Sequence, residues 1–265
     1  MRRDDLLDWV CEVMQARGAH RLARIQQLWG GYGELVRVAL EGSAVRTVVV
    51  KVIAPPPAEA DTVSDARKRR SYEVEERFYR DFVPRCDEAC RVARMFASRS
   101  TGDARWFVLE DLGDRVAPLA ACLAWLAAFH ARFLGDPGAG LWPEGTYWHL
   151  ATRLDELAID PARARQLDQA LAAARFQTIL HGDAKEENFL TTGAVDFQYA
   201  GRGCGMKDVA YLLYGHSDAH LDAYFLHLRE ALSPTVDAAA LEREWRALYP
   251  IAQQDFARFL AGWRG

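Results

Sequence analysis

The sequence is poor in cysteine, with only five among its 265 residues, an odd number at scattered positions. Cys86 and Cys90 lie four positions apart, but no second pair accompanies them at the spacing of a zinc site. This scarcity argues against a disulfide-stabilised scaffold and against a zinc module. We expect free, mostly buried thiols in a reducing compartment.

An excess of basic residues is also lacking. The chain has 33 Lys and Arg against 37 Asp and Glu, a net charge of −4, whereas nucleic-acid-binding proteins present a basic face. The longest apolar run without a charge, over 116–129, is shorter than the roughly 20 residues of a membrane-spanning helix and is typical of a buried core helix. Acidic residues directly after Arg2 and Arg3 break the pattern of a signal peptide. The sequence predicts a cytoplasmic protein without a nucleic-acid or membrane partner, and it leaves the oligomeric state open.

What the sequence contains is an ordinary globular mixture, with 50% hydrophobic and 26% charged residues. Apolar periodicity predicts a helix over 5–16, strands over 25–29, 34–40 and 46–53, a helix over about 65–83, and strands near 93–97 and 106–109. From residue 116 onward the pattern is helical, apart from one strand–loop–strand passage over 178–197. The sequence therefore predicts an α+β protein with a β-rich lobe over 1–112 and a helical lobe over 113–265, and the crevice between two such lobes is the default ligand site.

One constellation carries chemistry: His181-Gly182-Asp183-Ala184-Lys185-Glu186-Glu187-Asn188, followed by Val195-Asp196-Phe197-Gln198. A carboxylate, an amide five positions later and a second carboxylate after a short strand are what metal-assisted phosphoryl transfer requires. Asp183 could accept or orient the proton of an attacking hydroxyl. Asn188 and Asp196 supply the oxygen ligands that Mg²⁺ prefers.

This passage resembles the protein-kinase-like superfamily, because His-x-Asp-x-x-x-x-Asn is similar to the kinase catalytic loop and Asp-Phe-Gln to the magnesium-binding Asp-Phe-Gly. The resemblance implies a bilobal α+β fold with a short catalytic-loop hairpin, and it implies ATP and Mg²⁺ as cofactors. It also implies nucleotide-binding residues along the first lobe. They are Lys51 on the third strand, Glu75 (or Glu76) on the following helix, Gly31 and Gly33 in the turn after the first strand, and Glu110 and Leu112 at the hinge after the fifth strand.

Two departures separate the chain from protein kinases. The loop reads His-Gly-Asp, so the arginine that pairs with an activation-loop phosphate is absent, and the interval from Asp196 to Asp208 is short and is not followed by Ala-Pro-Glu. These features resemble the aminoglycoside phosphotransferase and choline kinase families, and residues 147–153 and 195–213 are most similar to the ecdysteroid-kinase-like branch. The resemblance implies transfer of the ATP γ-phosphate to a hydroxyl of a small acceptor such as an aminoglycoside, choline, ethanolamine, a sugar or a sterol-like alcohol. A pseudokinase that binds nucleotide without transfer is the alternative, against which the intact Lys51, Asp183, Asn188 and Asp196 argue.

The resemblance also assigns roles. Asp183 is the expected base, Asp196 bridges Mg²⁺ to the phosphates, Asn188 holds the second metal position and Lys51 meets the α- and β-phosphates. Lys185 either neutralises charge on the moving phosphoryl group or is an exposed loop lysine. We expect His181 to shape the loop through hydrogen bonds and Asp208 to brace it from the next helix.

The acceptor is expected beside Asp183 in the helical lobe. The residue types there allow two interpretations: an aromatic and acidic box for a cationic amine, or an ordinary helical core with a polar rim. The candidate residues are Trp142, Glu144, Tyr147, Trp148, Arg153 and Glu156, together with the segment beyond Tyr214.

Overall fold

The computed structural model describes residues 3–56, 62–154 and 157–263. The helices are α1 (Arg3–Met14), α2 (Val63–Asp81), α3 (Leu119–Arg132), α4 (Pro161–Ala172), α5 (Met206–Leu212), α6 (His220–Ala231) and α7 (Ala238–Gly262). The strands are β1 (Gly18–Gln27), β2 (Gly33–Glu41), β3 (Thr47–Ile53), β4 (Met95–Thr101), β5 (Ala104–Glu110), β6 (Thr178–Leu180), β7 (Phe189–Leu190), β8 (Gly193–Ala194) and β9 (Gly201–Gly203). By their contacts these elements form a first unit, Met1–Val83 with Ala93–Gly113, and a second unit, Pro84–Val92 with Asp114–Gly265.

The first unit is built on a five-stranded antiparallel sheet in the order β1-β2-β3-β5-β4. Side chains alternate between the two faces of a strand. On one face of β3, Val48 and Val50 are fully buried in a core to which α1 contributes Val10. Lys51 therefore lies on the other face of β3, in register with Phe107 of β5. The valines on both sides of Lys51 bury this strand and so fix the position of the lysine.

The first strand is longer than the sequence predicts. The pattern indicates a strand over 25–29, whereas β1 runs over Gly18–Gln27, and Trp29 begins a 3-10 turn, Trp29–Gly31. Within the described part of the chain β1 pairs only with β2, and most of its side chains are exposed. An exposed edge strand needs no apolar alternation, so its polar sequence carries no strand pattern.

Residues 84–92 pack with the second unit, although the sequence-based division assigns 1–112 to one lobe. The indole N–H of Trp125 on α3 donates a hydrogen bond to the Arg91 carbonyl over 2.7 Å, and the Ala194 N–H donates to the same oxygen over 2.9 Å. Val92 also forms a β-bridge with Ala194. Partners this far apart in the chain leave no local pattern that a sequence could reveal.

The second unit is mainly helical. Its α3, which contacts α6 and β6, arises from the apolar run over 116–129 and buries Trp125, Leu126 and Phe129, as expected for a core helix. The helix begins only after Pro118, whose extended backbone precedes the first turn. Among the described helices none is both long enough and apolar enough to cross a membrane. In the same residues the cysteines form no disulfide.

Candidate active site

The loop that carries Asp183 follows a buried strand and is hydrogen-bonded to a helix. All three residues of β6 are buried, and the loop begins at His181. Asp208 in the first turn of α5 accepts hydrogen bonds from the backbone N–H groups of His181, over 2.6 Å, and of Gly182, over 3.0 Å. One fully buried carboxylate thus fixes two consecutive peptide groups of the loop, which is the bracing role expected for Asp208.

Gly182 can only be glycine in this loop. Its φ of +84° lies in the left-handed region, and a Cβ at this position would stand 2.0 Å from the Tyr199 carbonyl oxygen. The glycine of His-Gly-Asp is therefore a requirement of the close approach between the loop and residue 199.

His181 acts as a hydrogen-bonding support. Its Nε2 lies 3.0 Å from the Val195 carbonyl, and its Nδ1 lies 3.3 Å from the Asp183 N–H. Both contacts are satisfied by a neutral ring that carries its proton on Nε2. Burial of the ring lowers the His181 pKa, which favours this neutral form. The side chain thereby connects the loop to the strand that leads to Asp196.

The Asp183 carboxylate is surrounded by groups that orient it. The Asn188 amide nitrogen donates to the Asp183 backbone carbonyl over 2.8 Å and to its Oδ2 over 3.0 Å, and Lys185 Nζ lies 3.3 Å from the same Oδ2. Burial raises the Asp183 pKa; the charge of Asp196 adds to this rise and Lys185 opposes it. A partly buried, oriented carboxylate of raised basicity is suited to accept a proton.

Lys185 is 40% exposed at its side chain, yet it belongs to the same charge cluster. Burial disfavours its ammonium form, but the carboxylates of Asp183 and Asp196 outweigh burial and raise its pKa. The lysine therefore stays charged beside the Asp183 carboxylate.

Asp196 follows β8 with a φ of +69°, a left-handed conformation that is uncommon for a residue with a side chain. Such strain costs about 1–3 kcal/mol and is concentrated at functional sites. Gln198 donates to Asp196 Oδ1 over 2.8 Å, and the Val195 N–H donates to the Asn188 carbonyl over 3.0 Å, which connects the two segments. Because the Asn188 amide nitrogen faces Asp183, its amide oxygen is directed away from that residue. An amide oxygen and a carboxylate are donors that fit Mg²⁺.

In the first unit, the structure pairs Lys51 with Glu75. Lys51 Nζ lies 2.8 Å from the Glu75 carboxylate, and the two side chains are 5% and 1% exposed. Glu76, the alternative, instead accepts hydrogen bonds from Ser98, over 2.8 Å, and Arg105, over 2.6 Å. The ambiguity between the two glutamates is resolved by burial, since only Glu75 lies on the buried side of α2.

The other residues predicted for the nucleotide also lie in the first unit. Gly31 ends the turn Trp29–Gly31, and Gly33 starts β2 with a φ of +137°, where a Cβ would stand 1.9 Å from the Val52 carbonyl oxygen. Glu110 ends β5 and its carboxylate accepts the Arg94 N–H over 3.2 Å, while Leu112 is buried.

Sequence reasoning missed an ion pair at Asp111, the residue between Glu110 and Leu112. Asp111 accepts two hydrogen bonds from the Arg37 guanidinium, over 2.8 and 3.1 Å. Burial alone would raise the Asp111 pKa, but Arg37 and the Gly113 N–H outweigh it and lower that pKa. No local pattern joins residues 74 positions apart.

Two of the candidate acceptor residues are buried in the core of the second unit. Trp148 is fully buried, and Arg153 is buried and donates to the Tyr147 carbonyl over 2.9 Å, which favours the core interpretation for both. Glu144 is paired with Lys207, and the Trp142 indole donates to the Gln198 carbonyl over 2.8 Å. Glu156 lies outside the described residues.

Two tyrosines lie close to Asp183. Burial, and then the charge of Asp183, raise the pKa of Tyr211, and burial raises the pKa of Tyr147 to about 12. Tyr147 belonged to the predicted set, whereas Tyr211 was missed. Its signal in the sequence is its position three residues after Asp208, which places both residues on the same side of α5.

No protein-family model matches the chain, and no curated protein matches it in sequence. Solved structures do match. An aminoglycoside-3′-phosphotransferase of type VIII superposes with a TM-score of 0.56 at 17% identity, over 96% of this chain and 98% of that chain. A macrolide 2′-phosphotransferase from Brachybacterium faecium superposes with a TM-score of 0.55 at 17% identity, over 96% of this chain and 93% of that chain. At such identities the similarity establishes the fold, and the predicted α+β, protein-kinase-like fold class is confirmed.

Proposed function

We propose that this chain is an ATP-dependent kinase that transfers the γ-phosphate to a hydroxyl of a small molecule. The observation that carries the proposal is the Asp183 carboxylate, oriented by Asn188 and Lys185 on a loop that Asp208 braces. Similar folds occur in phosphotransferases that are named for aminoglycosides and macrolides, both of them small molecules. The proposed compartment is the cytoplasm, which the small number of scattered cysteines favours.

In the proposed reaction the acceptor oxygen attacks the γ-phosphorus while its proton passes to Asp183. The bond between the γ-phosphorus and the bridging oxygen breaks, and ADP leaves with that electron pair. The raised pKa of Asp183 makes its carboxylate a better proton acceptor. The Lys185 ammonium, 3.3 Å from the base, offsets negative charge in the same region.

The nucleotide side of the proposal rests on the first unit. Lys51, held by Glu75, would contact the α- and β-phosphates, because a buried ammonium of this kind is suited to an anion. Gly31, Gly33, Glu110 and Leu112 remain proposed nucleotide contacts. Asn188 and Asp196 would hold Mg²⁺, which when bound supplies positive charge to the phosphates.

The acceptor class remains open among aminoglycosides, choline or ethanolamine, sugars and sterol-like alcohols. Tyr147 and Tyr211 supply ring faces and hydroxyls next to Asp183, which suits an acceptor that presents an alcohol on a ring. This favours a sugar or a sterol-like alcohol, and it agrees with the similarity of residues 147–153 to the ecdysteroid-kinase-like branch.

The test is Mg·ATP consumption over a panel of these acceptors, with Asp183→Asn beside wild type and Glu187→Gln as a matched control. Glu187 is an exposed carboxylate on the same loop, so its change should leave turnover intact. We expect Asp183→Asn to reduce turnover by about 10²–10⁴-fold. Acceptor-stimulated turnover that is equal in Asp183→Asn and wild type would refute the assignment of the base. Tight Mg·ATP binding with no turnover on any acceptor would favour an acceptor outside the panel. Nucleotide binding with no difference in turnover between wild type and Asp183→Asn would favour the pseudokinase alternative.

A further inference from the structure

A cluster of ligand-type side chains lies in the second unit, apart from the residues to which the proposed function gives a role. Glu144 and His149 belong to the segment between α3 and α4, and Asp168 lies on α4. One donor atom of each side chain lies within 4.8 Å of the others. The side chains are 18%, 16% and 22% exposed, so the cluster is largely shielded from water.

The spacing of these atoms fits a single metal ion. His149 Nδ1 lies 3.1 Å from Glu144 Oε2 and 3.8 Å from Asp168 Oδ1. Ligand atoms bound tetrahedrally at about 2.0–2.1 Å from Zn²⁺ are separated by roughly 3.3–3.4 Å. Small side-chain rotations would therefore bring all three atoms to bonding distance from one ion.

Two of the three donor atoms are buried and make no hydrogen bond within the described residues. His149 Nδ1 and Asp168 Oδ1 are both inaccessible to solvent, and neither has a hydrogen-bond partner among the described residues. The contact between His149 and Glu144 is short but too poorly aligned to be a hydrogen bond. Buried polar atoms normally find hydrogen-bond partners. Two buried donor atoms that lie 3.8 Å apart without such partners therefore indicate a missing ligand between them.

The neighbouring charges also favour a bound cation. Glu144, Asp168 and Asp255 face Lys207 and Arg258, so the described cluster has an excess of negative charge when His149 is neutral. Lys207 donates to Glu144 Oε1, which leaves Oε2 directed towards His149. Its Nζ also lies 3.8 Å from Asp255 Oδ2, an atom with no hydrogen-bond partner in the described residues, so Asp255 can retain the lysine.

We propose that Glu144, His149 and Asp168 form a binding site for a divalent transition-metal ion of the Zn²⁺ type. One imidazole nitrogen with two carboxylates matches Zn²⁺ better than Mg²⁺ or Ca²⁺, which take oxygen ligands. A cavity of about 110 Å³ is lined in part by Glu144 and Lys207. The site supports the catalytic loop, since between its ligands the Thr146 and Tyr147 N–H groups donate to the carbonyls of Tyr199 and Gly182.

The test is Zn²⁺ binding by the metal-stripped full chain, followed by calorimetry without nucleotide or acceptor. We expect one ion per chain at this site, with affinity reduced by at least about 10–100-fold in His149→Ala and in Asp168→Asn. His227→Ala is the matched control, because His227 also lies beside a carboxylate, Glu230, but belongs to no group of three ligands within the described residues. Asp196→Asn removes the other metal position and is expected to leave this affinity unchanged.

Co²⁺ absorption supplies a second readout that does not depend on catalysis. Intense visible bands of a four-coordinate ion are expected in wild type and not in His149→Ala, and Asp168→Asn serves if the alanine variant fails to fold. Zn²⁺ affinity that is lost only in Asp196→Asn, or that is equal in wild type and His149→Ala, would overturn the proposal. Because binding is measured without phosphate transfer, its failure is distinct from failure of the proposed kinase activity.

Discussion

Replacing Glu75 by glutamine is expected to destabilise the first unit far more than the same change at Glu76. The Lys51 and Glu75 side chains are 5% and 1% exposed, with charged atoms 2.8 Å apart. Glutamine leaves the Lys51 ammonium buried without this counter-charge, and breaking a buried pair in this way costs about 3–5 kcal/mol. Glu76 pairs with Arg105 nearer the surface, where water screens the charges and the loss is about 1 kcal/mol or less.

Urea unfolding of the two variants measures this difference. With a slope of about 2 kcal/mol/M, the Glu75→Gln midpoint falls by roughly 1.5–2.5 M and the Glu76→Gln midpoint by roughly 0.5 M or less. The double variant Lys51→Met/Glu75→Leu is expected to recover much of the loss, because apolar replacement of a buried pair is often neutral. Equal midpoints for the two single variants would refute the reasoning, since it depends on their difference in burial.

Three further changes test other parts of the structure. Gly182→Ala is expected to lower the free energy of unfolding by about 2–4 kcal/mol, because a left-handed backbone is costly for an alanine and its Cβ overlaps the Tyr199 carbonyl. A urea midpoint close to that of wild type would contradict this expectation. Asp208→Asn is expected to cost about 2–3 kcal/mol and to slow phosphate transfer, because one of two loop N–H groups loses its acceptor; an unchanged melting temperature would show that the brace is dispensable. Asp111→Asn is expected to destabilise more at pH 7 than at pH 3. Arg37 lowers the Asp111 pKa, so the stabilisation is present above the usual carboxyl pKa of about 4 and is lost as the pH falls through the lowered value. The same loss at both pH values would exclude this ion pair as its source.

The fold class and the loop that carries Asp183 could be predicted from the sequence because both depend on short-range patterns. Asp183 and Asn188 are fixed relative to each other by one 3-10 turn, Glu186–Asn188, so their spacing in the chain already determines their contact. The valine-rich β3 indicates a buried strand by itself, and a lysine within it stands out.

Other features could not be predicted, since they depend on which distant segments meet. Three glutamates on α2 are equivalent in sequence, and only packing selects Glu75 for Lys51. The strand β1 has the composition of an exposed loop because water, not a second layer, covers it. Lys207 and Glu144 are 63 positions apart, and their pairing requires α5 to lie against the segment before α4.

The close approach at Gly182 has a consequence for how such a protein can evolve. Protein kinases carry at this position an arginine that senses a phosphate on a regulatory segment. Here the Tyr199 carbonyl fills the space that any side chain would need, so no single substitution can introduce that arginine without displacing the neighbouring segment. Phosphorylation-dependent control of this loop therefore requires coordinated changes at two separate places in the chain.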